Sequence, residues 1–220
     1  MNIISKELEN YFTKLVMFSL PEDGGIFPAK AEISGEANVT LIAGPNASGK
    51  SLVSKMIANF SREQNLPCRV CSMLNRSQGG IESAMIFGDE SYNSTGVNSL
   101  SAIENSLKST VNDKKGVVIL DEPDIGLSEE YSGGLGKYVA DFMNDKGLNF
   151  THLVIVSHSR LFFNCFIEGY RKEINKVYMS KRKTFDDWRL GTVEVASVED
   201  LKSLYKNSRD KFLAINELAK

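Results

Sequence analysis

Gly44-Pro-Asn-Ala-Ser-Gly-Lys-Ser51 fits the phosphate-loop pattern G-x-x-x-x-G-K-[ST]. In such a loop, backbone N–H groups converge on phosphate oxygens, and Gly44 and Gly49 permit backbone torsions that a β-carbon would resist. Residues 39–43 have the composition of a short buried strand, and apolar residues recur at helical spacing after the loop. The stretch therefore predicts a strand, an anion-binding loop and a helix, whose N-terminus favours negative charge.

The end of this loop supplies two side chains with expected roles. Lys50 is expected to reach the β- and γ-phosphates of a nucleoside triphosphate, and the Ser51 hydroxyl is expected to ligate Mg²⁺. A Gly/Ser-rich turn without a ligand is the alternative, which the flanking strand and helix disfavour. The residues expected to line the nucleotide are Gly44, Pro45, Asn46, Ala47, Ser48, Gly49, Lys50, Ser51 and Leu52.

The length and composition of the chain are typical of a soluble globular protein with one α/β domain. The chain has 220 residues, 42% of them hydrophobic, and a net charge of −2, which predicts no strong bulk attraction to nucleic acid or anionic membranes. No apolar run approaches the roughly 18 residues of a spanning helix, and residues 1–10 lack a secretory core, so we expect a cytoplasmic protein without a membrane span. Cys68-x-x-Cys71 has no second cysteine pair, which favours a buried strand over a zinc or redox site.

Strands alternate with helices along the chain, which predicts an α/β fold: a mostly parallel sheet flanked by helices, in one domain over residues 1–220. The apolar runs at 117–120 and 153–156 are typical of parallel strands covered on both faces. Residues 14–20 and 27–33 predict a small antiparallel β flank near the N-terminus. Further strands are expected at 69–74, 176–179 and 192–196, with helices led by Leu100, by Leu135 (weakened by Gly133, Gly134 and Gly136) and after Val198.

Acidic residues follow the apolar run at 117–120, which ends in Asp121-Glu122-Pro123-Asp124. The carboxyl end of a parallel strand is where a side chain can meet Mg²⁺ held at the phosphate loop, so Asp121 is the metal-side candidate. Glu122 is the candidate to hold and polarise an attacking water as general base. A charged turn without function is the alternative, and the neighbouring phosphate loop disfavours it.

A histidine follows the next apolar run, which ends in Ser157-His158-Ser159. A lone histidine is usually a surface residue or a satisfied core residue. His158 instead ends a buried strand of the same α/β unit, where it is expected to meet the γ-phosphate.

The phosphate loop, the apolar run followed by Asp-Glu-Pro and the apolar run followed by Ser-His occur in this order. In this combination they resemble the ABC-type ATPases, and most of all the soluble heads of structural-maintenance-of-chromosomes (SMC) and RecF-like proteins. The resemblance covers roughly residues 36–160. It implies a P-loop NTPase fold with ATP and Mg²⁺ as cofactors, and two heads that sandwich two ATP molecules, each completed by a signature loop from the partner. The roles it implies are phosphate and metal binding for Lys50 and Ser51, metal support for Asp121, the catalytic base for Glu122 and γ-phosphate sensing for His158.

Two stretches that resemble the expected signature, Leu-Ser-Gly-Gly-Gln, are rejected. Ser132-Gly-Gly134 lies after Glu122, which is the wrong order. Ser77-Gln-Gly-Gly80 lies too close to the preceding strand. Its Gln78 better suits the glutamine loop of the family, which touches the metal and the water, so Gln78 is an expected site residue.

Ser94-Thr-Gly-Val-Asn-Ser99 is the signature candidate, because it precedes an amphipathic helix and lies 27 residues before Asp121. Ser94 and Gly96 are therefore expected to contact the γ-phosphate held by a partner, through a hydroxyl and free N–H groups at a helix N-terminus. Thr95 and Val97 depart from the family pattern. A polar loop without this role is the alternative.

The spacing of the motifs narrows the function. Only 77 residues separate Gly44 from Asp121, which leaves little room for the subdomain that docks a transporter subunit onto its membrane partner, and none for a long coiled-coil arm.

We expect a stand-alone ATPase that hydrolyses ATP to ADP and phosphate, dimerises on ATP as a homodimer or heteromer, and switches a partner. The alternatives are a transporter ATP-binding subunit, a P-loop kinase or GTPase, and a non-hydrolysing nucleotide-dependent binding module. Family analogy and the basic stretch at 181–183 point to a process that involves nucleic acid.

Overall fold

A computed structural model of the chain describes residues 29–34, 36–63, 65–72, 95–110, 116–145, 152–180, 182–193, 195–200 and 202–204. Its elements, in chain order, are β1 (Lys30–Glu32), β2 (Val39–Ala43), α1 (Lys50–Glu63), β3 (Cys68–Ser72), α2 (Thr95–Thr110), β4 (Val117–Asp121), α3 (Glu129–Asp145), β5 (His152–Val156), α4 (Arg160–Gly169), β6 (Asn175–Tyr178) and α5 (Phe185–Leu190).

The strands form one six-stranded sheet in the order β1-β6-β2-β5-β4-β3. Every pair is parallel except the one at the edge, where β1 runs antiparallel to β6. The prediction of an α/β fold with a mostly parallel sheet flanked by helices is therefore confirmed. The predicted N-terminal flank is present in part, since β1 lies within 27–33 but pairs with β6, and residues 14–20 lie outside the described part of the chain.

The core consists of two apolar layers, one on each face of the sheet. Successive residues of a strand point to opposite faces, so Leu41 of β2 packs in one layer and Ile42 in the other. Val53 and Ile57 of α1 fill the second layer, whereas α2, α3, α4 and α5 cover the first. Strands β2, β4 and β5 are buried along their whole length, which explains their continuous apolar runs.

Helix α3 runs from Glu129 through all three of its glycines. At Gly133 and Gly136 the missing side chain allows α3 to pack closely on α4, whereas an added β-carbon on Gly134 would have nothing within 4 Å. A β-carbon on Gly136 would lie 2.2 Å from the carbonyl oxygen of Phe162, and one on Gly133 would lie 3.0 Å from Leu161 Cγ.

Three parts of the C-terminal third differ from the sequence-based expectation: α4, α5, which was not predicted either, and residues 192–196. Helix α4 was not predicted, although Ser159 caps it by accepting a hydrogen bond from the amide of Phe162, and three buried phenylalanines follow at helical spacing. The predicted strand at 192–196 is wrong for its described residues, which form no strand; Val193 is 75% exposed and Val195 is 96% exposed. Alternating apolar residues need a neighbouring strand to pair with, and the pattern alone does not supply one.

The last described residues are helical, and the described helices are not of the membrane-spanning kind. Residues 198–200 and 202–204 are helical, in agreement with the expected helix after Val198. Among the described helices, none combines the length and the apolar character that crossing a membrane requires.

Candidate functional site

The loop between β2 and α1 has the backbone that the phosphate-loop pattern predicts, but its two glycines act for different reasons. Gly49 has a φ of 102°, which is in the left-handed region, and Ala47 shares that region at 59°. Gly44 is required by close packing instead. A β-carbon there would lie 2.6 Å from the Cβ of Met179, just after β6, and 2.9 Å from Ser48 Oγ.

Lys50 begins α1 and folds back over this loop. Its side chain is buried, and its ammonium group donates to the carbonyl oxygens of Gly44 at 3.0 Å and Pro45 at 2.9 Å. Burial lowers the pKa of Lys50 to about 8, while the charges of Glu122 and Asp121 act in the opposite direction. The ammonium group therefore lies at the loop, in the field of two carboxylates, and is still mostly charged at neutral pH.

Two buried polar atoms beside Lys50 lack a hydrogen-bond partner among the described residues. They are Asp121 Oδ1, at the end of β4, and Ser48 Oγ, inside the loop. Burial, followed by the charge of Glu122, raises the pKa of Asp121 to about 6, against the pull of Lys50, His158 and Lys55. A buried acceptor without a partner is costly, and such atoms commonly mark the place of an ion or ligand.

Glu122 and His158 form a hydrogen-bonded pair. Glu122 Oε1 lies 2.8 Å from His158 Nε2, and because an ionised carboxylate only accepts, the imidazole nitrogen donates. This hydrogen bond is the main reason that the pKa of Glu122 is lowered, with burial opposing it and the charges of His158 and Lys50 supporting it. The backbone of Glu122 is in the left-handed region, with a φ of 54°, and its amide donates to the carbonyl of Val156 at 2.8 Å.

Strand order brings these groups to one edge of the sheet. Strand β5 lies between β2 and β4 and is parallel to both, so Val156 pairs with Ile42 on one side and with Asp121 on the other. The carboxyl ends of the three strands therefore carry the phosphate loop, the Ser157–Ser159 turn and Asp121–Glu122 side by side. Ligands of open α/β sheets bind at this edge.

Of the remaining predicted site residues, some lie in described helices and others lie outside the described part of the chain. Ser51 and Leu52 lie in the first turn of α1, where the amide of Leu52 donates to the carbonyl of Gly49. Gln78 and Ser94 lie outside the described residues. Gly96 is the second residue of α2, so the helix begins inside the stretch that was expected to precede it.

Sequence reasoning assigned no role to Asp124 or to the serines around His158. Ser157 Oγ donates to Asp124 Oδ1 at 2.7 Å, and Ser132 Oγ donates to Asp124 Oδ2 at 3.0 Å. Ser132, which belongs to a rejected signature stretch, is thereby buried against the loop that follows β4. The available signal was the pair of serines on either side of His158, since hydroxyl groups beside a charged strand end commonly hold a carboxylate.

A Mg²⁺ ion fits the residues at this edge. Mg²⁺ usually keeps several waters and is held by one or two protein oxygens together with substrate phosphates, and Asp121 Oδ1 is a buried oxygen of that kind without a described partner. The described residues contain no group of three or more His, Cys, Asp or Glu side chains that could hold a metal by themselves. Comparison of the sequence with protein-family models and with curated proteins gave no match.

Proposed function

We propose that the chain is an ATP-binding and ATP-hydrolysing enzyme with a P-loop NTPase fold, of the ABC type that resembles SMC and RecF-like heads. The observation that carries the proposal is the loop between β2 and α1. It has positive φ at Gly49, no space for a side chain at Gly44, and Lys50 held over it, next to a buried acceptor without a partner on Asp121.

Triphosphate binding would replace the hydrogen-bond acceptors of the Lys50 ammonium group. This group is satisfied by two backbone carbonyls, and phosphate oxygens would replace them with stronger, charge-assisted hydrogen bonds. The amides of the loop and of the first turn of α1 would supply further donors. Ser51 and Asp121 would hold Mg²⁺, which supplies positive charge against the phosphates.

Glu122 would act mainly by orienting water for hydrolysis. Its pKa is lowered, so it is ionised at neutral pH and ready to accept a hydrogen bond, but it is a weak proton acceptor. The oxygen of the water attacks the γ-phosphorus, the bond to the bridging oxygen of ADP breaks, and the proton of the water passes to Glu122 or to the phosphate product. His158 holds the carboxylate in place, and Lys50 stabilises charge on the phosphates.

The assembly is proposed from the family resemblance. ATP bound at the loop of one copy would be completed by Ser94 and Gly96 of a second copy or of another ATPase subunit, and hydrolysis would release the pair and switch a partner. Gly96 lies in the first turn of α2, where backbone N–H groups lack helical partners. A partner that involves nucleic acid is proposed from the same resemblance and from the basic stretch at 181–183, in which Arg182 is exposed.

A second candidate function is a nucleotide-dependent binding module that does not hydrolyse ATP. The lowered pKa of Glu122 favours it, because a general base works best when its pKa lies near the working pH. Tight binding of Mg-ATP without release of phosphate, in the presence of candidate partners, would select this function.

The experiment that tests the proposal compares the natural chain with Lys50→Ala and Lys137→Ala in one Mg-ATP titration and one phosphate-release assay. Lys137 is an exposed cation that pairs with Asp141 on α3, so its removal changes the net charge equally but should leave binding unchanged. Lys50→Ala should lose measurable affinity and keep its thermal melt. Equal affinity in all three proteins would refute the assignment of the loop.

A further inference from the structure

A hydrogen-bond network joins the loop that follows β4 to the loop that follows β5. Asp124 stands at its centre and accepts from Ser157 and Ser132, as described above. The hydroxyl oxygens of Ser132 and Ser159 lie 2.8 Å apart, and the amide of Ser159 donates to Ser157 Oγ at 2.9 Å. The amide of Phe162 donates to Ser159 Oγ at 3.1 Å, which extends the network to the start of α4.

The number of hydroxyl protons determines which group donates in each hydrogen bond of this network. A carboxylate accepts only, and each serine hydroxyl has one proton to donate. Ser132 and Ser157 give theirs to Asp124, so the 2.8 Å contact between Ser132 and Ser159 requires the Ser159 hydroxyl to donate to Ser132. All donors therefore point towards the carboxylate of Asp124, and its removal would leave two hydroxyl groups without an acceptor.

The network belongs to the same two loops as the Glu122–His158 pair. Glu122 is two residues before Asp124, and His158 lies between Ser157 and Ser159. Glu122 has a positive φ, which a residue with a side chain keeps only where its surroundings hold it. The bonds of Asp124 to the other loop are contacts of this kind, in addition to the amide of Glu122 on Val156.

Two of the serines in the network belong to helices that pack closely on each other. Ser132 belongs to α3, and Ser159 is the N-cap of α4. The two helices pack so closely at Gly136 that a single added β-carbon would overlap the backbone of Phe162. Asp124 is therefore held by groups that cannot move independently of one another.

We infer that Asp124 is a positioning residue, whose carboxylate sets the loop of Glu122 against the loop of His158 and so maintains the contact between these two side chains. The geometric part of this inference stands on the contacts alone. Its effect on hydrolysis rests on the proposed function.

Imidazole nitrogen NMR tests the geometric part without any assay of activity. The chain has two histidines, and His152 is fully buried at the other end of β5, so it serves as an internal reference. In Glu122→Ala, the nitrogen signals of His158 give the position of an imidazole without its carboxylate partner. Asp124→Ala should move the His158 signals towards that position by about half or more of the full difference, because loops that are no longer tied lose the alignment that a hydrogen bond requires. The His152 signals should not move.

Ser157→Ala keeps the test decisive if Asp124→Ala does not fold. It removes the bond between Asp124 and the loop of His158, together with the bond from the amide of Ser159 to Ser157 Oγ within that loop. It should move the His158 signals in the same direction. Asp141→Ala is the matched control, since Asp141 is an exposed carboxylate of α3 that pairs with Lys137. His158 signals at their natural position in both Asp124→Ala and Ser157→Ala would overturn the inference.

The catalytic part is tested by kinetics on Asp124→Asn and Asp141→Asn with Mg-ATP. Asp124→Asn should lower kcat by about tenfold or more, since small misplacements of reacting groups are costly, and should change KM by less than about twofold.

The two proposals fail in different ways. Hydrolysis by the natural chain with an unchanged kcat in Asp124→Asn would overturn the positioning role. Absence of hydrolysis in the natural chain would overturn the proposed function, and the NMR comparison would still decide the role of Asp124.

Discussion

Lowering the pH from 7 to 5 should destabilise the fold through His152. This side chain is fully buried, its Nε2 lies 2.7 Å from Thr40 Oγ1, and its Nδ1 has no hydrogen-bond partner among the described residues. Burial lowers the pKa of His152 from 6.5 to about 4. Between these two values the unfolded chain binds more protons than the folded one, so the stabilisation is complete above the higher value and is lost as the pH falls towards the lower one.

The magnitude follows from the two pKa values. Each unit of difference corresponds to about 1.4 kcal/mol, and over this pH step linkage gives a loss of about 2 kcal/mol in the free energy of unfolding. Asp121 acts in the opposite direction, because its pKa is raised to about 6 and the folded state gains a proton as the pH falls. The contribution of His152 must therefore be isolated by a variant.

Urea denaturation at both pH values, followed by the fluorescence of the single tryptophan, Trp188, is the assay. Trp188 packs against Phe163, Phe185 and Tyr178, so its emission reports on the loss of this part of the core. The natural chain should lose about 2 kcal/mol more than His152→Gln over the pH step, because glutamine does not titrate there. A difference below about 0.5 kcal/mol would refute the assignment of a buried, neutral histidine at this position.

Three other predictions concern the site and its supporting helices. Glu122→Gln should keep its affinity for ATP and lose turnover by about a hundredfold or more in a phosphate-release assay, and a loss of less than about tenfold would place the base elsewhere. Gly136→Ala should destabilise the fold by about 1–3 kcal/mol in urea denaturation, because its β-carbon would overlap the Phe162 carbonyl. Gly134→Ala, in the same helix with nothing within 4 Å of its added β-carbon, should instead stabilise it by about 0.5–1 kcal/mol, and equal effects would contradict the packing of α3 on α4. In the Glu122→Gln background, Mg-ATP should shift the chain from monomer to dimer in analytical ultracentrifugation and Ser94→Arg should block the shift; normal dimerisation of Ser94→Arg would exclude this loop as the signature.

Local patterns in the sequence were sufficient for the buried strands and for the α/β class of the fold, although they did not indicate α4 or α5. Continuous apolar runs at 117–120 and 153–156 predicted buried parallel strands, because a strand covered on both faces needs apolar side chains in both directions. The loop pattern at 44–51 predicted a strand, a turn with special torsions and a helix. Short-range sterics and hydrogen bonding determine all of these, and neighbouring residues suffice to specify them.

Errors arose where a residue's role depends on a distant part of the chain. Helix propensity accounted for Gly136 only as a weak helix former, whereas the neighbouring helix α4 needs the space that its missing side chain leaves. The alternation at 192–196 predicted a strand, but its described residues have no strand beside them. Hydrophobic pattern and secondary-structure propensity are properties of a single segment, whereas packing depends on the contacts between two segments.

Local patterns predicted which residues follow the strands: the phosphate loop after β2, Asp121–Glu122 at the end of β4 and His158 after β5. Which of these strand ends meet depends on the tertiary structure. Glu122 and His158 are 36 residues apart in the chain and 2.8 Å apart in space, because β4 and β5 are neighbours in the sheet. The same strand order places Asp124 between two serine-bearing loops and buries Asp121 without a described partner. Strand order is set by the packing of the whole core, and no local stretch of sequence encodes it.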